Sequence, residues 1–262
     1  MKKRIFSLNK KSQISLFIII GLFMFVIVLI LIFFHDKLFS FQKVSTSSLS
    51  KEISSCIDDF LKNFEREFFE KKEFNNLFNV YYVYKGEKIP FVCYSTQYYL
   101  PCVQQSPLFS EVIRRRIENK ISQELSQCVL KLKEDYEKKG YTFDFSSFNL
   151  SFNFQEKSFF YNVEIPIFIR RGDTSFKLKT VSNSVPSYLP NLLKTAETIV
   201  NYETAFCEFD EVFWQRLNRE IHIEKFRGGD QTKVYILSPI HTNNQNEKIK
   251  MAIRTCILPA GI

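Results

Sequence analysis

Residues 148–185 read FNLSFNFQEKSFFYNVEIPIFIRRGDTSFKLKTVSNSV, and apolar side chains recur there at nearly every second position. Leu150, Phe152 and Phe154 alternate with Ser151, Asn153 and Gln155; Tyr161, Val163, Ile165, Ile167 and Ile169 keep the same period; Phe176, Leu178 and Thr180 make a third run. Successive side chains of a strand point to opposite faces, so each run reads as a strand with one buried face, and the three together as an antiparallel meander. Pro166 cannot donate to a ladder and predicts a bulge or an edge. Arg171-Gly172-Asp173 spells an adhesion tripeptide, yet Gly and Asp between two alternating runs are turn chemistry, because Gly tolerates positive φ and Asp satisfies local backbone donors. Arg227-Gly228-Gly229-Asp230 repeats that chemistry before another strand.

On the N-terminal side of this meander the period is helical. Leu49, Ile53, Cys56, Ile57, Phe60, Leu61, Phe64 and Phe68 lie on one stripe and predict a helix over about 49–71. Val112, Ile113, Ile117, Ile121, Leu125, Cys128, Val129, Leu132 and Tyr136 predict a second, opened by Ser106-Pro107 and stopped by Gly140. Between the two helices, the aromatic and β-branched run Val80–Tyr84, a Lys-Gly-Glu-Lys turn and Ile89–Val92 predict a hairpin. After the meander, Pro186 and Pro190 bracket a turn that opens a helix burying Leu192, Leu193, Ala196, Ile199 and Val200. Residues 203–220 are expected to be helical too, and strands over about 231–238 and 248–257 close the chain. The fold class is therefore α+β.

Six cysteines occur, none before residue 56. Six cysteines allow 15 pairings in principle, and no CxxC spacing favours zinc or a thioredoxin-like dithiol. Cys93 and Cys102 flank a short loop that can fold back. Cys56 and Cys128 each sit on the inward face of a long helix, and the closing strand brings Cys256 towards Cys207. The expected pairs are Cys93 with Cys102, Cys56 with Cys128, and Cys207 with Cys256.

Farther out, Ile14–Phe34 is an apolar run of 21 residues without a charge. About 20 residues at 1.5 Å each cross a hydrocarbon core, so the run predicts one transmembrane helix. It lacks the small-residue cleavage site of a secretory signal. The basic leader 1–13 contributes Lys2, Lys3, Arg4, Lys10 and Lys11 and no acid, which by the positive-inside rule places it in the cytoplasm. Residues 35–48 read as a spacer and 49–262 as one extracytoplasmic domain. The net charge of +8 is mostly this leader: without its five cations, 31 basic residues face 28 acidic ones. No nucleic-acid motif accompanies that near balance, so nucleic acid is not an expected partner.

Nothing in the chain spells a cofactor, a metal site or a catalytic constellation. Seven glycines form no phosphate-cradling loop, and the three histidines, His35, His222 and His241, have no G-x-S-x-G elbow beside them. Asp58-Asp59 and the Glu208, Asp210, Glu211 group read as solvated helix faces. An extracytoplasmic hydrolase is the enzymatic alternative to a non-enzymatic role. Asn149-Leu150-Ser151 is a glycan acceptor sequence. Tyr94, Tyr98 and Tyr99, in the loop between Cys93 and Cys102, form a candidate binding loop or else cover the domain's own core.

The segment Lys11-Ser12-Gln13-Ile14-Ser15-Leu16-Phe17, continued by Ile18-Ile19-Ile20-Gly21, resembles the archaeal class III signal of type IV pilin-like proteins. The resemblance implies cleavage between Ser12 and Gln13 by a prepilin peptidase. Where that family usually carries Glu at the fifth mature position, this chain has Phe17. The wider plan is similar to a group of archaeal membrane-anchored proteins that share this start, a Cys-Ile or Cys-Leu pair on a first helix (Cys56-Ile57), a second Cys-Leu or Cys-Val pair (Cys128-Val129) and a later strand-turn-strand like IPIFIRRGDTSFKL. The expected role is a membrane-anchored surface protein, structural or interacting, with a pilin-like filament subunit as its specific form. Its partners would be the membrane and other proteins or copies of itself; the alternative is a binding module acting through the Tyr loop.

Overall fold

The computed structural model describes residues 20–29, 46–240 and 246–257. Residues 20–29 are helical and exposed. Among the described residues no helix is long and apolar enough to cross a membrane. The rest of the expected span Ile14–Phe34, the leader with Ser12 and Gln13, His35 and His241 lie outside them. Chain contacts divide the protein into two units, Met1–Ser45 and Thr46–Ile262, and every described strand belongs to the second.

That unit is α+β, built on two sheets. Helix α1 (Thr46–Glu70) leads through a 3₁₀ turn (Glu73–Leu77) into β1 (Tyr81–Tyr84), β2 (Glu87–Tyr94) and β3 (Val103–Gln104). Helix α2 (Phe109–Lys138) precedes β4 (Thr142–Phe145), β5 (Asn149–Gln155), β6 (Ser158–Arg171) and β7 (Thr174–Pro186). Helices α3 (Leu189–Phe206) and α4 (Glu211–Leu217) then lead to β8 (Ile221–Arg227), β9 (Lys233–Pro239) and β10 (Ile249–Arg254).

The expected meander is the second sheet, with β6 at its centre. β7 pairs along the whole of β6 on one side, while β5 and then β4 pair with successive halves of it on the other, all antiparallel. Pro166 falls where β5 hands over to β4 and where the β6–β7 register slips between Glu164 and Ile167. A residue without an N–H is tolerated at such a point. The slip has a consequence for β7: Leu178 and Val181 are the buried pair, and Thr180, expected inward, faces solvent. Phe159, Tyr161, Val163, Ile165, Ile167 and Ile169 all point to the covered face.

Helices α1 and α2 cover that face, α1 against β7 and α2 against β4 and β5. Their stripes bury Ile53, Ile57 and Leu61 on one helix and Ile113, Ile117, Ile121 and Leu125 on the other. Each such side chain contributes about 1.5–3 kcal/mol when fully buried. Polar groups fix the angle between the layers. The Tyr161 hydroxyl donates to Asp58 Oδ1 (2.8 Å), and Asn183 Nδ2 donates to the other oxygen of the same carboxylate (2.9 Å), so Asp58 is not the solvated position expected of it. The Tyr136 hydroxyl donates to Glu52 (3.2 Å), and burial together with that carboxylate lifts its pKa to about 12. Helix α2 begins two to three residues later than Ser106-Pro107 predicts, with Leu108 in the left-handed region. It ends as expected on Gly140 at φ +80°, with Gly140 N–H bonded to Glu137 O and Tyr141 N–H to Tyr136 O.

The other sheet runs β1-β2-β10-β9-β8, with β3 beside the end of β2. Its β1–β2 hairpin turns on Lys85-Gly86, both at positive φ, as foreseen. The sheet differs from expectation in two ways. The stretch 203–220, expected to be helical, is interrupted where α3 stops at Cys207 (φ +60°) and resumes only over Glu211–Leu217, and an additional strand, β8, follows it in a stretch to which no element was assigned. The N-terminal hairpin also joins the C-terminal strands through a parallel β2–β10 pair. Helix α3 packs on this sheet and also touches α2, β5 and β6, which makes it the element between the two halves of the core.

Candidate functional site

Three disulfides are present, and they join the expected pairs: Cys56–Cys128, Cys93–Cys102 and Cys207–Cys256, with Cα separations of 6.4, 5.4 and 5.3 Å. The first ties α1 to α2. The other two meet at one corner of the domain, where β2, β10 and α3 end together. Thr255, which is buried, links them. Its Oγ1 accepts the Cys102 N–H (3.1 Å) and donates to Glu203 O (3.1 Å), one residue before Cys256 and one helical turn before Cys207.

The tyrosines of the Cys93–Cys102 loop divide in role. Tyr94 turns inward onto Phe91, with ring centroids 4.9 Å apart. Tyr98 is clamped by Arg254: Nη2 donates to its hydroxyl (2.5 Å) and the guanidinium lies 4.7 Å from the ring centroid. Tyr98 O also accepts the Ile257 N–H (2.9 Å). Tyr99 is 75% exposed and makes no such contact among the described residues. Leu100, Val103 (69% exposed), Ile257 and Phe206 (63% exposed) flank the two bridges along the chain and are exposed as well. Tyr94 therefore covers the core, whereas Tyr99 and Leu100 of the loop, with Val103 just after it, are exposed.

Behind this corner lies a polar cluster centred on Glu203, which sequence reasoning did not single out; it also takes in Glu208 and Glu211, which are half-buried and paired with lysines rather than the solvated positions expected of them. Glu203 is fully buried on α3 and accepts from Phe209 N–H (3.1 Å), from Lys233 Nζ (2.7 Å) and from the Tyr235 hydroxyl. Lys233 also donates to Cys207 O (2.6 Å) and pairs with Glu208 (2.7 Å). Lys225 bridges Glu208, Glu211 (3.1 Å) and Phe209 O (2.7 Å), and Arg227 closes on Glu208 (2.8 Å). Burial, with Glu203 next to it, pushes the Tyr235 hydroxyl far above its ordinary value. Burial also acts to raise Glu208, but hydrogen bonds from Lys225 and Lys233 outweigh it and hold that carboxyl below the usual range. Each carboxylate here meets a cation, which makes the cluster a brace for the α3 terminus. A signal for it existed in the sequence: Glu203 follows Ile199 and Val200 by four and three residues, an inward position occupied by a charge.

The remaining candidates disperse. Asp210 caps α4, accepting the Phe213 N–H at 2.8 Å. His222 stands on the open face of β8, 3.8 Å from Glu224. Asn149 is exposed at the first position of β5, which is accessible to a glycan. Among the described residues no group of three or more His, Cys, Asp or Glu could hold a metal ion. Comparison with family models, with curated proteins and with solved structures found no match.

Proposed function

We propose that the chain is a single-pass membrane-anchored surface protein whose extracytoplasmic domain makes protein contacts, with self-assembly into a pilin-like filament as its specific form. The observation that carries the reading is the use of all six cysteines in three disulfides, within a domain that follows a 21-residue apolar run and a basic leader. Disulfides persist in oxidising compartments, and such a leader stays in the cytoplasm. The resemblance of residues 11–21 to a class III signal supports the filament form. A subunit of that kind must offer apolar area outside its own core, and the corner of Tyr99, Leu100 and Val103, held by two disulfides, offers it to a second copy.

Sequencing the native N-terminus tests the form: a start at Gln13 is expected, and a start at Met1 removes its main support. Cross-linking in native membranes tests the contact. Tyr99→Ala with Leu100→Ala is expected to reduce oligomers about tenfold or more, since truncating central aromatic anchors commonly costs 2 kcal/mol or more. Unchanged oligomers together with lost adherence would favour the binding-module reading of the same loop.

A further inference from the structure

A cleft of about 490 Å³ opens between α3, the β5–β6 turn and the connection from α4 to β8, away from the disulfide corner. That volume lies within the range of small-molecule sites, roughly 300–1,000 Å³. Its floor is one face of α3, where Asn191, Lys194, Thr195 and Thr198 follow at helical spacing. Thr195 is 1% exposed, and its Oγ1 has no hydrogen-bond partner. A buried hydroxyl left unpaired costs about 1–3 kcal/mol, so the fold tolerates here a group that a ligand would satisfy.

One wall is Trp214, the single tryptophan of the chain, half-buried and with no hydrogen-bond partner for its indole N–H among the described residues. The charges of the cleft are mixed. Lys157 pairs with Glu220, which also accepts from Asn191 Nδ2 (3.4 Å), and Lys194 lies 3.6 Å from Glu156. Arg219 is exposed at the rim and has no ion pair among the described residues.

We propose that this cleft binds an acidic saccharide, with a sugar ring stacked on Trp214, its hydroxyls among Thr195, Thr198 and the two carboxylates, and its carboxylate on Arg219. Sugar hydroxyls both donate and accept, which suits a lining of carboxylates, amides, hydroxyls and ammonium groups together. Phosphates only accept. Glu156 and Glu220 would repel a polyphosphate, whereas one guanidinium in excess matches a single carboxylate through two parallel hydrogen bonds. Trp supplies an apolar face of the kind that packs on the C–H side of a pyranose. The inference is independent of whether the chain assembles into filaments.

The single tryptophan makes the test direct. Full-length protein in detergent is titrated with a trisaccharide that carries a single uronate residue and, separately, with its neutral counterpart, following Trp214 emission. A saturable change with the uronate is expected, with the neutral trisaccharide bound about tenfold more weakly, the size of one charge-assisted contact. Arg219→Gln, an exposed change that leaves the core intact, is expected to erase that preference. Thr195→Val, which removes the unpaired hydroxyl at nearly equal volume, should melt no lower than the parent and weaken both ligands severalfold. The proposal is overturned by no saturable change with either trisaccharide, by equal binding of the two, by an Arg219→Gln variant that keeps the preference, or by ATP displacing the uronate at equal concentration.

Discussion

At the residue scale the strongest commitments are buried charges. Glu203 and Lys233 neutralise each other out of water, so removing one leaves the other buried and unpaired, a loss of about 3–5 kcal/mol for pairs of this kind. Glu203→Ala should therefore lower the denaturation midpoint far more than Glu111→Ala, whose carboxylate is half-exposed beside Arg114 and Arg115. Equal shifts in chemical denaturation would refute the brace. Two other carboxyls predict opposite pH behaviour. Burial raises Glu65, with Glu247 adding to it, against hydrogen bonds from Ser187 and the Leu189 N–H. Its proton is held more tightly in the folded chain, so its contribution is present below the unfolded value of 4.5 and is lost as pH rises through the folded value. Glu208 sits below its ordinary value, so its contribution is present above 4.5 and is lost as pH falls through the folded value. Glu65→Gln, which keeps an acceptor for Ser187, should raise the melting temperature at pH 7 and lose that gain near pH 4. Glu208→Gln should lower it at pH 7, with the deficit shrinking on acidification; about 1 kcal/mol corresponds to roughly 2–4 °C in a domain of this size. Melting curves with the same pH slope for both variants would contradict the assignment.

At the element scale, the packing of α1 on α2 combines two apolar stripes with one covalent tie. Cys56 and Cys128 are 72 residues apart, whereas Cys93 and Cys102 are nine apart. Chain-entropy cost grows with the enclosed loop, so replacing the first pair by Ala should cost about 4 kcal/mol and the second about 2.5. A larger loss from the short loop would show that its bridge acts by holding the corner's native geometry. These helices and the meander were legible in the sequence because their periods are local and their inward faces unbroken. The bridges were only suggested by the same signals: each cysteine lies on or beside a readable element, but fifteen pairings stayed open and the sequence alone did not choose among them. β8 was not legible: its inward positions are Ile221, Ile223 and Lys225, and the lysine, neutralised by Glu208 and Glu211, breaks the apolar alternation. β4, at four residues, is too short to display a period. The parallel β2–β10 pair joins residues more than 150 positions apart, and no local signal specifies such a partner. The cleft of Trp214 shares that difficulty, since it draws on three separate segments of the chain.

For the whole molecule, the α+β unit places both chain-terminal halves in one sheet. β1 and β2 come from its first third and β8 to β10 from its last, with the meander and its two helices inserted between them. The two halves of that sheet therefore cannot be completed until the entire unit has been made. Cys207–Cys256 and Cys93–Cys102 close beside the β2–β10 seam, where Thr255 links both. A chain whose last strand enters between earlier ones must keep β2 and β9 unpaired along that seam until then, and unpaired strand edges invite wrong association. Oxidising conditions should consequently govern recovery of the native fold. Expression in a reducing compartment is expected to give protein with six free thiols that aggregates or melts well below the oxidised form. Expression directed across a membrane should give none, with a mass lower by the six hydrogens lost to three bridges. Thiol titration and intact mass under non-reducing conditions measure this directly. Six free thiols in protein isolated from its native source would sink both the bridges as a natural feature and the surface location argued from them.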